Sequence, residues 1–398
     1  MRPKNEAGSV KERLIIEGFG GIRHLELDLN RIVLLTGPQA EGKSLCAKLL
    51  HFFKNFNAFS FHTHFALNFV HDEIVAKFIE QFPSLAWGDD SFRVTYVCNG
   101  RKFSLEHNKG SGNICDVKMD DNWYDWLSEV KNNWFSVPSS VAFPLGFIQL
   151  FMPAERISVP SFKQNTFRLR DKVGIDPFLD EFGRMYEDSI EFFDRFSKQV
   201  GGPLEGLPDF AYELLSGKLI LRDGRAFIEH KDGRNVPLEN SSSGQKQTAP
   251  LLMILKHVLA SQIKVAGYTL YPEEPEANLF PEAQQAMVCL LTYVYHKAFH
   301  DIQLIIATHS PYILSTFNNL LEAGIVQRKF PERLGQITAL VPEDCILDPA
   351  DLTAYSIGPE GAVSLMDPET GLISADKLDA VSESLSENFG KLLELEYE

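Results

Sequence analysis

The octapeptide Gly37-Pro38-Gln39-Ala40-Glu41-Gly42-Lys43-Ser44 constrains this chain more than any other stretch. It has the spacing G-x-x-x-x-G-K-S. The apolar run Ile32-Val33-Leu34-Leu35 precedes it, and Leu45-Cys46-Ala47-Lys48-Leu49-Leu50, with helical spacing, follows it. Strand, glycine loop and helix in that order are the context in which the motif has physical meaning. The backbone N–H groups of such a loop and of the helix start form an anion site. Lys43 can then reach the outer phosphates of a nucleoside triphosphate, and the Ser44 hydroxyl can ligate Mg²⁺. The plain alternative is an ordinary glycine-rich strand-to-helix turn. The expected fold class is α/β, built on a P-loop.

A chain of 398 residues can bury a large core and hold two or three lobes. Its hydrophobic share of 44% and charged share of 23% suit a globular protein. It contains no run of about eighteen apolar residues, so no membrane span is expected. The polar start Met1-Arg2-Pro3-Lys4-Asn5-Glu6 is not followed by an apolar segment, so no secretory signal is expected. Cys46, Cys98, Cys115, Cys289 and Cys345 are scattered without a C-x-x-C pair, as free thiols in a reducing cytoplasm would be. The net charge of −16 argues against a broad, constitutive grip on DNA, though a local basic groove stays compatible with it.

Residues 1–12 read as a flexible tail. Leu14-Ile15-Ile16 and the alternating set from Ile22 to Leu29 read as strands packed beside the nucleotide strand. Residues 45–90 are helical in pattern. His62-x-His64, with His71-Asp72-Glu73, could hold a metal in principle, but no second cluster has matching spacing, and surface or core histidines are the default. Asn99-Gly100 between two alternating runs marks a hairpin. Asn122 to Leu127 begins an aromatic helix that suits packing better than base stacking. Phe147 to Phe151 reads as a buried strand, and Asp176 to about Gln199 as a charged, Phe-rich helix without a coiled-coil repeat. Short strands broken by Asp223-Gly224 and Asp232-Gly233 follow.

A second constellation lies downstream. Ser241-Ser242-Ser243-Gly244-Gln245-Lys246-Gln247 opens a helix running from Ala249 to Leu259. Serines and glycine at a helix start can present hydroxyls and N–H groups to an anion, or simply cap the helix. Gly267-Tyr268-Thr269-Leu270-Tyr271 reads as a strand ending in Glu273-Glu274-Pro275-Glu276-Ala277-Asn278-Leu279. Carboxylates at a strand end can hold Mg²⁺ and an attacking water. Leu304-Ile305-Ile306-Ala307 is a further buried strand, ending in Thr308-His309-Ser310-Pro311. An imidazole there could hydrogen-bond a γ-phosphate or a water.

The order of P-loop, serine-glycine signature, E-E-P-E and T-H-S-P resembles the ABC-type ATPases of the RecF, SMC and OLD group. The motifs run from residue 13 to about 316, and the ending from Leu352 to Ile373 also resembles that group. The resemblance implies ATP and Mg²⁺ as cofactors. It assigns phosphate binding to Gly37, Gln39, Gly42, Lys43, Ser44 and Leu45. Glu273 stands at the metal-side acid, where many members have Asp, and Glu274 at the catalytic glutamate. His309 matches the switch histidine. Glu276-Ala277-Asn278-Leu279 matches the loop that crosses to a partner subunit. Ser242, Ser243, Gly244 and Gln245 match the signature that meets the γ-phosphate of another subunit, with Ser243 replacing its first glycine. Gln149 stands as a third metal-side residue, in a region crowded by Met152-Pro153-Ala154-Glu155-Arg156.

The resemblance further implies a nucleotide-binding lobe from residues 13–150 and 260–398 and a helical signature lobe from 151–259. The fold it implies is a mixed-sheet core with an antiparallel β-subdomain. It also implies a homo-oligomer, either a head-to-tail dimer or a ring of such dimers. Two functions follow from it. One is a sensor or scaffold for a separate effector, a nuclease or toxin, as in the ATPase subunits of PARIS-type and Septu-type anti-phage systems. The terminal segment, with Leu378, Val381, Leu385, Phe389 and Leu392 on one helical face, is too short for the nuclease domain of OLD-like proteins. The other is a RecF-like DNA-repair clamp, which the acidic balance disfavours. A membrane transporter cassette fits neither acidic nor histidine motif.

Overall fold

The computed structural model describes residues 11–60, 67–83, 90–110, 115–120, 147–162, 175–200, 207–261 and 265–374. Residues 1–10 of the tail expected over 1–12, the His62-x-His64 pair, the aromatic helix expected from Asn122 and the terminal helix around Leu378 to Leu392 lie outside these, whereas Glu12 is buried and opens the first strand. Three strands come first, β1 (Glu12–Phe19), β2 (Ile22–Leu29) and β3 (Ile32–Thr36). In β1 and β2 every second residue or so is buried, Leu14 and Ile16 on one and Leu25, Leu27 and Leu29 on the other. That is the pattern of a sheet with one covered face. β1 pairs with β2 and with β4 (Phe92–Cys98). β5 (Arg101–His107) and β6 (Cys115–Met119) complete a five-stranded antiparallel sheet in the order β2-β1-β4-β5-β6. Asn99 and Gly100 join β4 to β5 with φ of 50° and 81°, the left-handed pair that a two-residue hairpin turn needs.

This corrects the expectation that the opening strands lie next to the nucleotide strand. β3 belongs to a different sheet, with β7 (Ile148–Met152), β11 (Gly267–Pro272), β12 (Asp301–Ala307), β13 (Leu352–Gly358) and β14 (Gly361–Ser364). Its order is β14-β13-β3-β12-β11-β7, all parallel except the edge strand β14. The remaining strands, β8 (Lys218–Arg222), β9 (Arg225–Glu229) and β10 (Asn235–Pro237), form a small antiparallel sheet.

Among the described residues the α-helices are α1 (Lys43–Ser60), α2 (Leu67–Gln81), α3 (Pro177–Val200), α4 (Asp209–Glu213), α5 (Ser243–Ala260), α6 (Pro281–Lys297), α7 (Pro311–Lys329) and the short α8 (Leu334–Ile337). They explain why Ile32–Leu35 and Leu304–Ala307 read as unbroken apolar runs: both faces of the six-stranded sheet are covered. Val33, Leu35 and Ile305 face one core, shared with Leu49 and Phe53 of α1 and with Leu14 and Phe103 of the antiparallel sheet. Ile32, Leu34, Leu304 and Ile306 face a second core, shared with Leu255 of α5, Leu290 of α6 and Phe317 of α7. Phe182 of α3 and Ile228 of β9 join that second core, so α3, β9 and α5 pack against the central sheet through continuous apolar contact.

Where α1, the antiparallel sheet and the central sheet meet, a buried polar network takes the place of apolar packing. The Lys54 ammonium lies 2.8 Å from Glu12 Oε1 and also donates to Gln303 Oε1. Tyr96 donates its hydroxyl to Glu12 Oε1 at 2.5 Å, and Gln303 Nε2 donates to Glu12 Oε2 at 2.9 Å. Burial pushes the Lys54 pKa down, while Glu12 opposes that shift. Removing one member of such a pair strands the other charge. Lys54→Met is expected to destabilise the protein by about 3–5 kcal/mol in denaturant unfolding, because Glu12 is left buried without its cation.

Candidate functional site

Parallel strands present their C-terminal ends along one edge of a sheet. β3 therefore delivers Gly37 to Ser44, β11 delivers Glu273 and Glu274, and β12 delivers Thr308 and His309 to the same edge. Backbone bonds carry the alignment past the strand ends. Glu273 N donates to Met152 O at 2.9 Å, Glu274 N to Ala307 O at 2.8 Å and Thr308 N to Leu35 O at 2.9 Å.

The P-loop turns through left-handed backbone at Gly37 (φ 131°), Ala40 (φ 64°) and Gly42 (φ 98°). A Cβ on Gly37 would stand 2.1 Å from Ile357 O of β13, so only glycine fits. Lys43 is 4% exposed and donates from Nζ to Gly37 O at 2.9 Å and Pro38 O at 2.5 Å. Burial lowers its pKa, and attraction to Glu274, Glu41 and Glu276 opposes the shift. An ammonium has three donors, and two carbonyls occupy two of them. A desolvated cation with donor capacity left, above a loop of backbone N–H groups, fits a polyphosphate. Ser44 opens α1 and is half-buried, Gln39 is exposed on the loop, and Leu45 packs beneath Gly20.

Glu273 is 7% exposed, and its Oε2 accepts from Ala154 N at 3.2 Å. Glu274 is more open, with a left-handed backbone at φ 43°. His309 Nε2 lies 3.6 Å from Glu274 Oε1. Ser44 with Glu273 offers what Mg²⁺ takes from a protein when phosphates and waters fill its other positions: one or two oxygens rather than a full cage. Among the described residues no group of three or more His, Cys, Asp or Glu could hold a metal by itself.

Gln149 does not join this edge, and its expected place beside the metal is corrected. It pairs with Thr269, whereas the end of β7 pairs with Pro272. Three residues of strand set it about 10 Å back from the acidic end. It is buried, with Nε2 donating to Phe147 O at 2.6 Å and Oε1 accepting from Tyr271 at 2.6 Å.

At the start of α5, Ser242 and Gln245 form a reciprocal cap. Gln245 N donates to Ser242 Oγ at 3.3 Å, and Ser242 N donates to Gln245 Oε1 at 3.1 Å. Gln245 Nε2 also donates to Leu215 O at 2.7 Å, fixing the helix start on the segment between α4 and β8. The plain reading of these serines as caps is thus realised at Ser242, while Ser242 and Ser243 stay exposed. A Cβ on Gly244 would come within 2.9 Å of Asn278 O, so the serine-glycine turn rests on the loop after the acids.

Two further residues hold this edge together: Glu276, which the resemblance places in a loop crossing to a partner subunit, and Arg156, to which the sequence gives no role. Glu276 Oε1 accepts from Thr308 Oγ1 at 2.6 Å and from His309 N at 2.9 Å, while its buried Oε2 has no hydrogen-bond partner among the described residues. Arg156 is wholly buried, and its guanidinium meets backbone carbonyls. Burial lowers its pKa to about 10, opposed by Glu276, Glu273 and Glu274, so it remains a cation at neutral pH. One sequence carries no sign that a charged residue is buried. The only hint is that Pro153-Ala154-Glu155-Arg156 directly follows an apolar strand.

Residues 149–314, less than half of the chain, match the family described as AAA ATPase domain. No curated protein matches the chain. Solved structures similar to it include the SMC head domain from Thermotoga maritima, at 15% identity and a TM-score of 0.38, covering 89% of this chain and 98% of that one. An SmcHead bound to the C-terminal winged-helix domain of ScpA gives 10% identity and a TM-score of 0.47, covering 91% and 98%. The recombination mediator protein RecF with ATP, of the RecFOR pathway, gives 11% and 0.39, covering 90% and 98%.

Glu276→Ala leaves the Thr308 hydroxyl and the His309 N–H without their shared acceptor. It is expected to cost about 1–3 kcal/mol in denaturant unfolding, and Glu276→Gln, which keeps one acceptor oxygen, less.

Proposed function

We propose that the chain is an ATP-binding and ATP-hydrolysing protein of the ABC type, converting ATP and water to ADP and phosphate in the cytoplasm. The observation that carries this reading is the shared sheet edge, where a P-loop lysine, two adjacent glutamates and a histidine arrive on three neighbouring parallel strands. The matched family, described as AAA ATPase domain, spans two of those three strands and supports it. Gly37, Gln39, Gly42, Lys43, Ser44 and Leu45 hold the phosphates, with Lys43 supplying the charge. Ser44 and Glu273 hold Mg²⁺, which when bound neutralises charge on the phosphate oxygens. Glu274 takes the proton of the attacking water, and His309, beside it, orients the carboxylate.

Composite sites follow from the signature. Ser242 to Gln245 expose two serines at a helix start. Among the described residues, no hydrogen bond or ion pair joins them to Gly37–Leu45 of the same chain. We assign them to the phosphate bound by another copy, in a head-to-tail dimer or a ring of dimers. Residues 13–150 with 260–398 act as the nucleotide lobe, and 151–259 as the signature lobe. The output passes to a separately encoded effector, a nuclease or toxin of an anti-phage system. This last step rests on the sequence resemblance. The net charge of −16 favours a basic docking patch on that effector.

Lys43→Ala should abolish ATP binding. Glu274→Gln should keep ATP bound and slow turnover by about 10²-fold or more, since the amide cannot act as a base. Normal hydrolysis by Glu274→Gln, with loss in Glu273→Gln, would reverse the two acids' roles. A Ser242→Arg chain and a Lys43→Ala chain should each be inactive alone and recover part of the activity when mixed. A proven heterodimer without activity excludes trans action.

The effector is tested by purifying the protein with its genomic neighbours, comparing wild type with Glu274→Gln. Nucleotide-dependent, salt-sensitive co-purification of one neighbour is expected. If no neighbour binds and the protein alone grips duplex DNA in an ATP-dependent way, a repair clamp replaces the effector reading.

A further inference from the structure

Glu274 sits in a left-handed backbone conformation that side-chain-bearing residues seldom adopt. Such a conformation persists only where its surroundings over-determine it. Here the determining groups can be named. Glu274 N is held by Ala307 O at 2.8 Å, and Glu274 O accepts from Ala277 N at 3.1 Å and from Arg156 Nη2 at 3.0 Å. Arg156 Nη1 donates to Glu273 O at 2.8 Å and to Pro153 O at 2.9 Å, and Nε donates to Gln247 O of α5 at 3.0 Å. One side chain thus joins the acidic turn, the turn after β7 and the signature helix.

A second path closes the circuit. Gln247 Nε2 donates to Ala154 O at 2.6 Å, and Ala154 N donates to the Glu273 carboxylate at 3.2 Å. Both routes from the glutamates to the second turn of α5 therefore pass through the segment Pro153–Arg156. A buried guanidinium is an expensive way to fill space, since an apolar side chain of similar volume does so without the desolvation cost. What arginine adds is a planar fork of directional donors, matched here to carbonyls from three segments.

We propose that Arg156 is a positioning residue that makes the placement of the Glu274 carboxylate depend on where the signature helix α5 sits. The inference rests on the reading of Glu274 as the catalytic base. A shift of α5, which carries the signature serines at its start, is passed to the Glu274 turn through Gln247 O and the guanidinium. Hydrolysis is thereby tied to the position of the lobe that meets the neighbouring copy.

The test uses the full chain with Arg156→Lys, Arg156→Met and Gln247→Met, beside Glu274→Gln. Lysine keeps the charge but cannot reproduce the fork. In the nucleotide-free protein, amide hydrogen exchange over residues 273–279 is expected to speed up about tenfold in the Arg156 variants, and measurably in Gln247→Met, although that change lies on α5. With ATP, kcat per bound nucleotide should fall about tenfold or more in Arg156→Lys, while nucleotide affinity stays within about twofold. A space-filling role would instead lower the melting temperature and leave kcat per binding site unchanged. If Arg156→Met does not fold, the other two variants decide. Wild-type exchange over residues 273–279 and wild-type kcat in both Arg156→Lys and Gln247→Met, with Glu274→Gln inactive, overturns the proposal. Wild-type turnover by Glu274→Gln instead overturns the assignment of the base, and the exchange measurement still decides whether Arg156 couples α5 to the turn.

Discussion

The parallel run of β13, β3, β12, β11 and β7 is the constraint on which the rest of the structure depends. Parallel neighbours send all their C-terminal ends to one edge, and chain segments far apart in sequence meet there without any loop reaching across. Lys43 and His309 are 266 positions apart (309 − 43), yet they follow adjacent strands. The arrangement demands that both faces of the sheet be covered. The antiparallel sheet with α1 covers one face, and α5, α6 and α7 cover the other. The remaining architecture can be read as the means of covering those faces while leaving the edge open.

That edge is held in a costly state. A residue such as Glu274 in the left-handed region costs about 1–3 kcal/mol. Glu276 keeps a buried carboxylate oxygen without a hydrogen-bond partner among the described residues, and Arg156 keeps a buried charge answered by carbonyls. Each choice would be poor for stability alone, where apolar packing is cheaper. Together they fix the direction of two adjacent carboxylates. Glu273 points toward Ala154 and is nearly buried, while Glu274 stays open toward His309. Two identical side chains in sequence are given different surroundings by the turn, as the distinct roles proposed for them require.

Much of this was legible in the sequence because burial on both faces leaves a plain mark. Ile32–Leu35 and Leu304–Ala307 read as buried strands since neither face can take a polar residue, and the motifs at their ends follow from the strand-to-loop junction. Partnership was less legible. β1 and β2 show the alternation of a one-sided sheet, but alternation does not say which sheet, and they joined β4 rather than β3. Gln149 failed for a related reason. A period of two tells which face a residue takes, not how far along the strand it stands, and register placed Gln149 three rows below the edge. The first two turns of α5 were hidden by composition. Gln245 and Gln247 interrupt the apolar periodicity, although both are buried and bonded to Leu215 O and Ala154 O.

The polar start of α5 also shows why a capping role and an anion-binding role need not compete. A cap satisfies N–H groups through side chains of the same turn, and the Ser242–Gln245 pair does so along the inner side of the helix start. Gln245 is spent on that cap and on Leu215. Ser243 and Ser242 remain exposed, and Gly244 removes the side chain that would otherwise push the turn away from Asn278. Capping therefore makes the helix start rigid, and rigidity is what an anion site gains from, because oriented donors need no reorganisation when the ligand arrives. A Cβ at Gly244 would lie 2.9 Å from Asn278 O, so the helix start packs directly on the loop after the acids.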